Sequence, residues 1–210
     1  MAERYGFHIN SQVCSGCKTC QVACKDRSNL KPGQNWRRVY EIEGGEWKQE
    51  SGAWSTLPWS YNLSISCNHC SDPACVSACP TTAMHIDSSG IVLIDSEKCM
   101  GCGYCMWACP YEAPRPDPET GKMSKCDMCI DLVKEGKRPA CVDSCPMRAL
   151  DFGTMDQLSA RYGDLGEVWP LPSREITAPS IVITAHSKAA GADNKTAIVA
   201  NREEVEGGKQ

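Results

Sequence analysis

No stretch of this chain approaches the 18 or so consecutive apolar residues that a membrane-spanning helix needs. The opening residues, MAERYGFHIN, lack the apolar core of a secretion signal. The pair Arg37-Arg38 lies too far in, and is followed by no apolar run, to read as an export signal. Positive charge is not in excess either: 22 Lys and Arg against 26 Asp and Glu leave a net charge of −4 and a pI near 5.6. That balance argues against a nucleic-acid partner, since such domains are usually basic. There is no Ser/His/Asp set, no phosphate-binding loop and no dinucleotide fingerprint. With 210 residues, one or two compact domains fit. The expectation is a soluble chain that performs no substrate chemistry itself and reaches any membrane through a partner.

What the chain has is cysteine. All 16 fall into four groups of four: Cys14, Cys17, Cys20, Cys24; Cys67, Cys70, Cys75, Cys79; Cys99, Cys102, Cys105, Cys109; and Cys126, Cys129, Cys141, Cys145. A disulfide framework would spread its cysteines over loops to staple distant segments; tight clusters are metal ligands. Groups one and three share the spacing C-x2-C-x2-C-x3-C. Groups two and four lengthen the step before the third Cys, and groups two, three and four end in Cys-Pro. Soft thiolates suit iron clusters. A C-x2-C-x2-C run wraps one face of a [4Fe–4S] cube, while the fourth Cys turns away to serve a second cube in two-cluster ferredoxins. Structural zinc also uses C-x2-C pairs, but it has no use for a third Cys at the same interval and a fourth followed by Pro. Four [4Fe–4S] clusters are therefore expected, with iron held by all sixteen cysteines and no catalytic residue.

The flanking segments repeat as well. Cys79 is followed by PTTAMHID and Cys145 by PMRALDFG, both Cys-Pro-x-x-Ala and then a strand-like stretch. FHINSQV precedes Cys14 and VLIDSEK precedes Cys99, both strand-like. AMHI-DSSG-IVLID reads as a hairpin joining groups two and three. After group three comes YEAPRPDP, a poor strand with its three Pro. The strand before Cys14 therefore has only the strand after Cys145 as mate. The expected fold is α+β: two nested bacterial-type 2[4Fe–4S] ferredoxin-like halves. Residues 1–31 with 110–150 form the outer half and 67–109 the inserted half. Residues 32–66, with RRVYEIE, YNLSIS and four of the six Trp, are a β-rich insertion. Residues 151–185, with a helix at MDQLSARYG and a strand at SIVIT, are a C-terminal docking segment, and 186–210 a mobile tail. Exchanging the fourth Cys between paired groups gives the ligand sets: Cys14, Cys17, Cys20 with Cys145; Cys126, Cys129, Cys141 with Cys24; Cys67, Cys70, Cys75 with Cys109; and Cys99, Cys102, Cys105 with Cys79.

Other residues read more plainly. His69 and His85 are packing or surface residues, because every ligand position is already Cys. Trp107, Tyr104 and Met106 are read as shielding a cluster from water. Lys25, Lys125, Arg37 and Arg38 are solvated charge by default, or else an offset to anionic clusters.

With these groups in place the chain resembles the iron–sulfur subunit family of molybdopterin oxidoreductases. The resemblance runs from YGFHINSQVCSGCKTCQVACKD through SISCNHCSDPACVSACP and CMGCGYCMWACPYEAP to CVDSCPMRALDFG. The flanking phrases point to the electron-transfer subunits of bacterial anaerobic dimethyl sulfoxide reductases. The resemblance implies a heterotrimer: a molybdopterin catalytic subunit, this four-cluster chain, and a quinol-oxidising integral membrane anchor. It also implies the same nested ligand sets, and a peripheral position at the bacterial inner membrane. It favours the periplasmic face, after export as a folded complex. Some relatives carry Trp where this chain has Cys102, so four complete cubanes are expected here. Another molybdenum reductase, of N-oxide, oxyanion or selenate type, and a free polyferredoxin are the competing functions. The anaerobically purified chain is expected to be brown and to hold about 16 Fe, four per cluster. Stoichiometric zinc without visible absorption would refute the cluster reading.

Overall fold

The computed structural model describes residues 4–189 and 196–206. Chain order is β1 (Tyr5–Asn10), α1 (Thr19–Arg27), β2 (Arg38–Gly44), β3 (Trp47–Glu50), β4 (Ala53–Thr56), β5 (Trp59–Ile65), α2 (Ala74–Ser77), β6 (Met84–Ile86), β7 (Val92–Ile94), α3 (Tyr104–Ala108), β8 (Arg115–Pro116), β9 (Met123–Ser124), α4 (Ile130–Lys134), α5 (Ala140–Asp143), β10 (Leu150–Thr154), α6 (Met155–Tyr162), β11 (Ile181–Thr184), β12 (Ile198–Val199) and α7 (Arg202–Glu206). The helices that precede Cys145 are short because the ligand loops interrupt the chain before a long one can propagate. None of them, among the described residues, is long and apolar enough to cross a membrane.

The central sheet has the order β10-β1-β11. β1 runs antiparallel to β10, with Tyr5 opposite Thr154 and Ile9 opposite Leu150. It runs parallel to β11, with Phe7 opposite Ile181. The strand before Cys14 thus meets the strand after Cys145, more than a hundred residues away. The apolar run at Ile181–Thr184 is buried on both faces, as expected of a strand flanked by protein on each side. The stretch 151–185 is therefore not simply a docking surface, because β11 is core. α6 starts on a capping box. The Thr154 hydroxyl accepts from the Gln157 N–H at 3.3 Å, and the Gln157 carboxamide accepts from the Thr154 N–H at 3.2 Å.

A second sheet, β12-β2-β5, packs against the first. Val39, Ile42, Leu63 and Ile65 share one core with Phe7, Ile9 and Leu150. Each such side chain contributes about 1.5–3 kcal/mol when fully buried. Residues 32–66 are thus built into the core, apart from the β3–β4 hairpin, whose Trp47 and Trp54 lie exposed. The hairpin of groups two and three forms as the sequence predicts, with Met84 opposite Ile94. YEAPRPDP yields only the two-residue β8.

Of the expected mobile tail, residues 186–189 and 196–206 are described and include paired and buried residues; residues 190–195 and 207–210 lie outside the described residues. Ile198 and Val199 pair with Glu43 and Ile42 on the free edge of β2. The Ala200 N–H donates to the Glu41 carbonyl at 2.8 Å, and the Asn201 carboxamide donates to the Val39 carbonyl at 2.8 Å. Val205 is 1% exposed. Two apolar residues in polar surroundings carry no readable periodicity, yet an open strand edge needs few to recruit them. Val205→Ala is expected to cost about 1–3 kcal/mol, lowering the apparent thermal midpoint and speeding amide exchange at Ala200. Unchanged exchange there would mean that α7 does not hold the edge strand.

Candidate iron–sulfur sites

All sixteen cysteines are free thiols, so no disulfide forms. Four mechanisms place them. First, the residue before the second Cys of every group is left-handed: Gly16 (φ 72°), His69 (φ 42°), Gly101 (φ 75°) and Met128 (φ 62°). That turn folds the loop back on itself, so that the Gly16 and Met128 amides donate to Cys14 and Cys126 Sγ, the latter at 3.4 Å. At Gly101 a side chain would also strike the Gly121 carbonyl. His69 and Met128 are both fully buried, and packing offsets the strain that glycine avoids.

Second, short helices present the third Cys. α2 and α5 both open on Pro-Ala-Cys-Val. The Pro73 and Pro139 carbonyls accept from the Val76 and Val142 N–H groups, both at 2.9 Å. Third, each Cys-Pro ends its helix and is followed by a left-handed residue: Thr82 (φ 56°), Glu112 (φ 49°) or Arg148 (φ 51°). The chain then returns an amide to the fourth sulfur. Ala149 N–H donates to Cys145 Sγ at 3.3 Å, Met84 N–H to Cys79 Sγ at 3.4 Å, and Ala113 N–H to Cys109 Sγ. The motif Cys-Pro-x-x-Ala thus closes group three as well, at Cys109 to Ala113, a repeat hidden because no strand follows it. Group one lacks the proline. There the Arg37 N–H, arriving from the start of β2, donates to Cys24 Sγ.

Fourth, the sheet pairing brings different groups together. One cavity is lined by Cys14, Cys17 and Cys20 together with Cys145. Another is lined by Cys99, Cys102 and Cys105 together with Cys79. Cys24 faces Cys141 and Cys129 closely enough for their charges to oppose its ionisation, and Cys75 likewise faces Cys67 and Cys109.

The donors fit an iron–sulfur cube better than a single ion. Four thiolates around zinc at 2.3 Å stand about 3.8 Å apart. Among the described residues no three His, Cys, Asp or Glu side chains are gathered closely enough to share one ion. Burial pushes the Cys24, Cys70 and Cys75 thiols up to about 12 and Cys105 to about 11, with neighbouring thiolates adding to the effect. These groups are thiols at neutral pH until a cation replaces the proton. Cys17, exposed, is lowered by hydrogen bonds from the Thr19 hydroxyl and amide.

The surrounding residues depart from the sequence reading in two respects. Trp107 is 72% exposed and Tyr104 is also exposed, so neither shields a cluster; Met106 alone packs beside Cys75 and Cys105. Arg37, Arg38 and Lys125 are buried, not solvated, and only Lys25 among the four remains partly open. The Lys125 ammonium donates to the Val92 and Cys126 carbonyls. Arg38 bridges the carbonyls of Val205 and Tyr111, each at 2.7 Å. A charged residue at a strand's end gives no hint that it is buried. His69 is packing: its Nδ1 accepts from the Val92 N–H at 3.2 Å. His85 is half-buried, with its Nδ1 against the Ala83 carbonyl.

Two glycines test the loop geometry. Gly101→Ala combines a left-handed φ with a backbone clash and is expected to cost up to four Fe per chain. Gly103→Ala has a left-handed φ but open space, costs about 1 kcal/mol, and is expected to keep its iron. Equal iron contents would mean that the Gly101–Gly121 contact does not shape the third ligand loop.

The profile of a 4Fe-4S dicluster domain matches residues 58–155. The chain is 49% identical to the B subunit of anaerobic dimethyl sulfoxide reductase of Escherichia coli (strain K12), over 98% of this chain and 100% of that protein. It is 47% identical to the protein of the same name from Haemophilus influenzae, over 97% and 100%. It is 38% identical to the formate dehydrogenase-O iron–sulfur subunit of Escherichia coli (strain K12), over 71% of this chain and 53% of that one. A full-length likeness of this order, on a chain whose cysteines are placed for iron–sulfur ligation, shows that it belongs to the family of [4Fe–4S] electron-transfer subunits that includes the B subunit of anaerobic dimethyl sulfoxide reductase.

Proposed function

We propose that this chain holds four [4Fe–4S] clusters and conducts electrons between a quinol-oxidising membrane anchor and a molybdopterin catalytic subunit, as part of a dimethyl sulfoxide reductase of anaerobic respiration. The observation that carries the reading is the facing of each group's fourth cysteine toward another group. Residues 1–31 with 110–150 are the outer half in this reading, and 67–109 the inserted half. The ligand sets are Cys14, Cys17, Cys20, Cys145; Cys24, Cys126, Cys129, Cys141; Cys67, Cys70, Cys75, Cys109; and Cys79, Cys99, Cys102, Cys105. The two cysteine-lined cavities support the first and last sets. Thiolate repulsions support the two between them: Cys24 with Cys141 and Cys129, and Cys70 with Cys67 and Cys109.

The sets also fall into a line. Cys20, Cys141 and Cys145 share one core, Cys67 and Cys126 a second, and Cys75 and Cys105 a third. Each core joins adjacent sets. The exposed ligands, Cys17 and Cys102, belong to the first and last sets. Such clusters, when bound, supply one-electron carriers whose potentials follow charge, hydrogen bonding and solvent exposure. The chain supplies the ligands, the amides that oppose thiolate charge, and burial everywhere but the two ends. Attachment to the membrane is through the anchor, and the family likeness favours the periplasmic face.

The chain isolated anaerobically from its host should bring down a large molybdenum subunit. In that complex, Cys102→Ser should alter one cluster and abolish the quinol-driven rate, while an artificial donor still drives the catalytic subunit. A full quinol-driven rate in the variant would remove the Cys102 set from the required path.

A further inference from the structure

Among the described residues Arg37 is the largest fully buried side chain, 1% exposed. Its guanidinium donates from Nη1 to the Ser64 carbonyl and hydroxyl, both at 3.2 Å, and from Nη2 to the Ser66 hydroxyl at 3.0 Å. Its Nε is buried without a partner. The Phe7 ring centroid lies 4.7 Å from Cζ. All these partners are uncharged. A guanidinium in such surroundings carries an effective penalty of several kcal/mol unless another charge offsets it. The ionisable groups facing it are the thiols of Cys141, Cys20, Cys126 and Cys24, which are anionic once they ligate iron. Hydrogen bonds tie the same residue to two of these sulfurs. The Arg37 backbone N–H donates to Cys24 Sγ, and the Ser64 hydroxyl it holds stands 3.3 Å from Cys20 Sγ.

We propose that Arg37 is a positioning residue for the relay: its fixed charge raises the reduction potentials of the clusters held by the Cys24–Cys126–Cys129–Cys141 set and the Cys14–Cys17–Cys20–Cys145 set. The inference rests on the cluster assignment above. A cube with four thiolates is an anion, and reduction adds one further negative charge with no bond made or broken. A cation fixed nearby in a poorly polarisable interior favours the reduced form, because little water screens it. Burial without Arg37 would act in the opposite direction. Arginine suits this role because it does not lose its proton; the electron arrives without a coupled proton from this side chain.

The test is an EPR-monitored redox titration with dithionite and mediator dyes, on the full chain isolated anaerobically with its copurifying subunits. Arg37→Met keeps the packing against Phe7 and removes the charge. Arg37→Lys keeps the charge and loses the forked hydrogen bonds. In Arg37→Met at least one midpoint should fall by a tenfold change in the oxidised-to-reduced ratio, about 59 mV for one electron. In Arg37→Lys the midpoints should stay near the wild type, and the signal altered by Cys102→Ser should move in neither variant. Fully loaded clusters with unmoved midpoints in Arg37→Met would overturn the assignment of Arg37 alone. So would equal falls in both variants, which would indicate packing and not charge. If Arg37→Met fails to load iron, Arg37→Lys decides by itself: retained midpoints support the proposal and a tenfold fall overturns it. A wild-type chain with no cluster signal would overturn the cluster reading, and this inference with it.

Discussion

A buried thiolate must be met by N–H groups or by a positive charge, and this chain has to arrange that for most of sixteen sulfurs. Burial, with neighbouring thiolates adding to it, pushes several of these thiols up to about 12, which is the cost of placing their negative charge in the interior. The backbone is bent to offset it. Left-handed residues stand before the second cysteine of every group, and at the third position beyond the cysteine of every Cys-Pro. Both turns aim amides at sulfur. Such conformations cost about 1–3 kcal/mol each for residues other than glycine. They persist where the surroundings leave no alternative, as at His69 and Met128, both wholly enclosed.

That requirement governs the larger architecture too. In the proposed assignment each ligand loop covers only part of a cube's surface, so a second group has to close it. The pairing of β1 with β10 joins the segments that flank the first and fourth groups, and the β6–β7 hairpin joins the second and third. The sheet of β2 and β5 then has two tasks. Its apolar face completes the core, and its polar residues reach the ligand loops. Asn62 donates to the Cys14 carbonyl at 3.2 Å, and Arg37 enters at its edge. Substitutions in this sheet therefore act on the ligand loops as well as on stability.

Much of this is legible in the sequence because cysteine spacing and local strand pattern are short-range signals. The two strands that meet across the chain, FHINSQV and ALDFG, can be matched by elimination, since the proline-rich stretch after group three leaves no competitor. The helix at Met155–Tyr162 and the strand at Ile181–Thr184 are visible from composition. What escapes is long-range or too short to have a period. Ile198 and Val199 are two residues, and only the open edge of β2 gives them a place. Arg37 and Arg38 stand at the entry to β2, where the pattern does not reveal that both charges are buried. Trp107 and Tyr104 mislead because aromatic side chains beside ligands suggest shielding, whereas here they face outward. The Cys-Pro-x-x-Ala closure of group three is present in the residues and obscured by the absence of a following strand.

The exposure of the ligands separates what the chain settles alone from what its partners must complete. In the proposed set containing Cys24, all four sulfurs are buried, with Arg37 alongside. In the set containing Cys67, two are buried and two are half-buried. In each end set one sulfur is open to solvent, Cys17 or Cys102. Solvent exposure is itself one of the levers on cluster potential. Docking a protein over Cys17 or Cys102 would remove that water and lower the local dielectric, and so alter the end potentials without any change in this chain. The inner sets have no ligand open to solvent. Permanent charges such as Arg37 and Lys125 are therefore placed where the protein must fix the potential by itself, and the exposed ligands lie where a partner can adjust it.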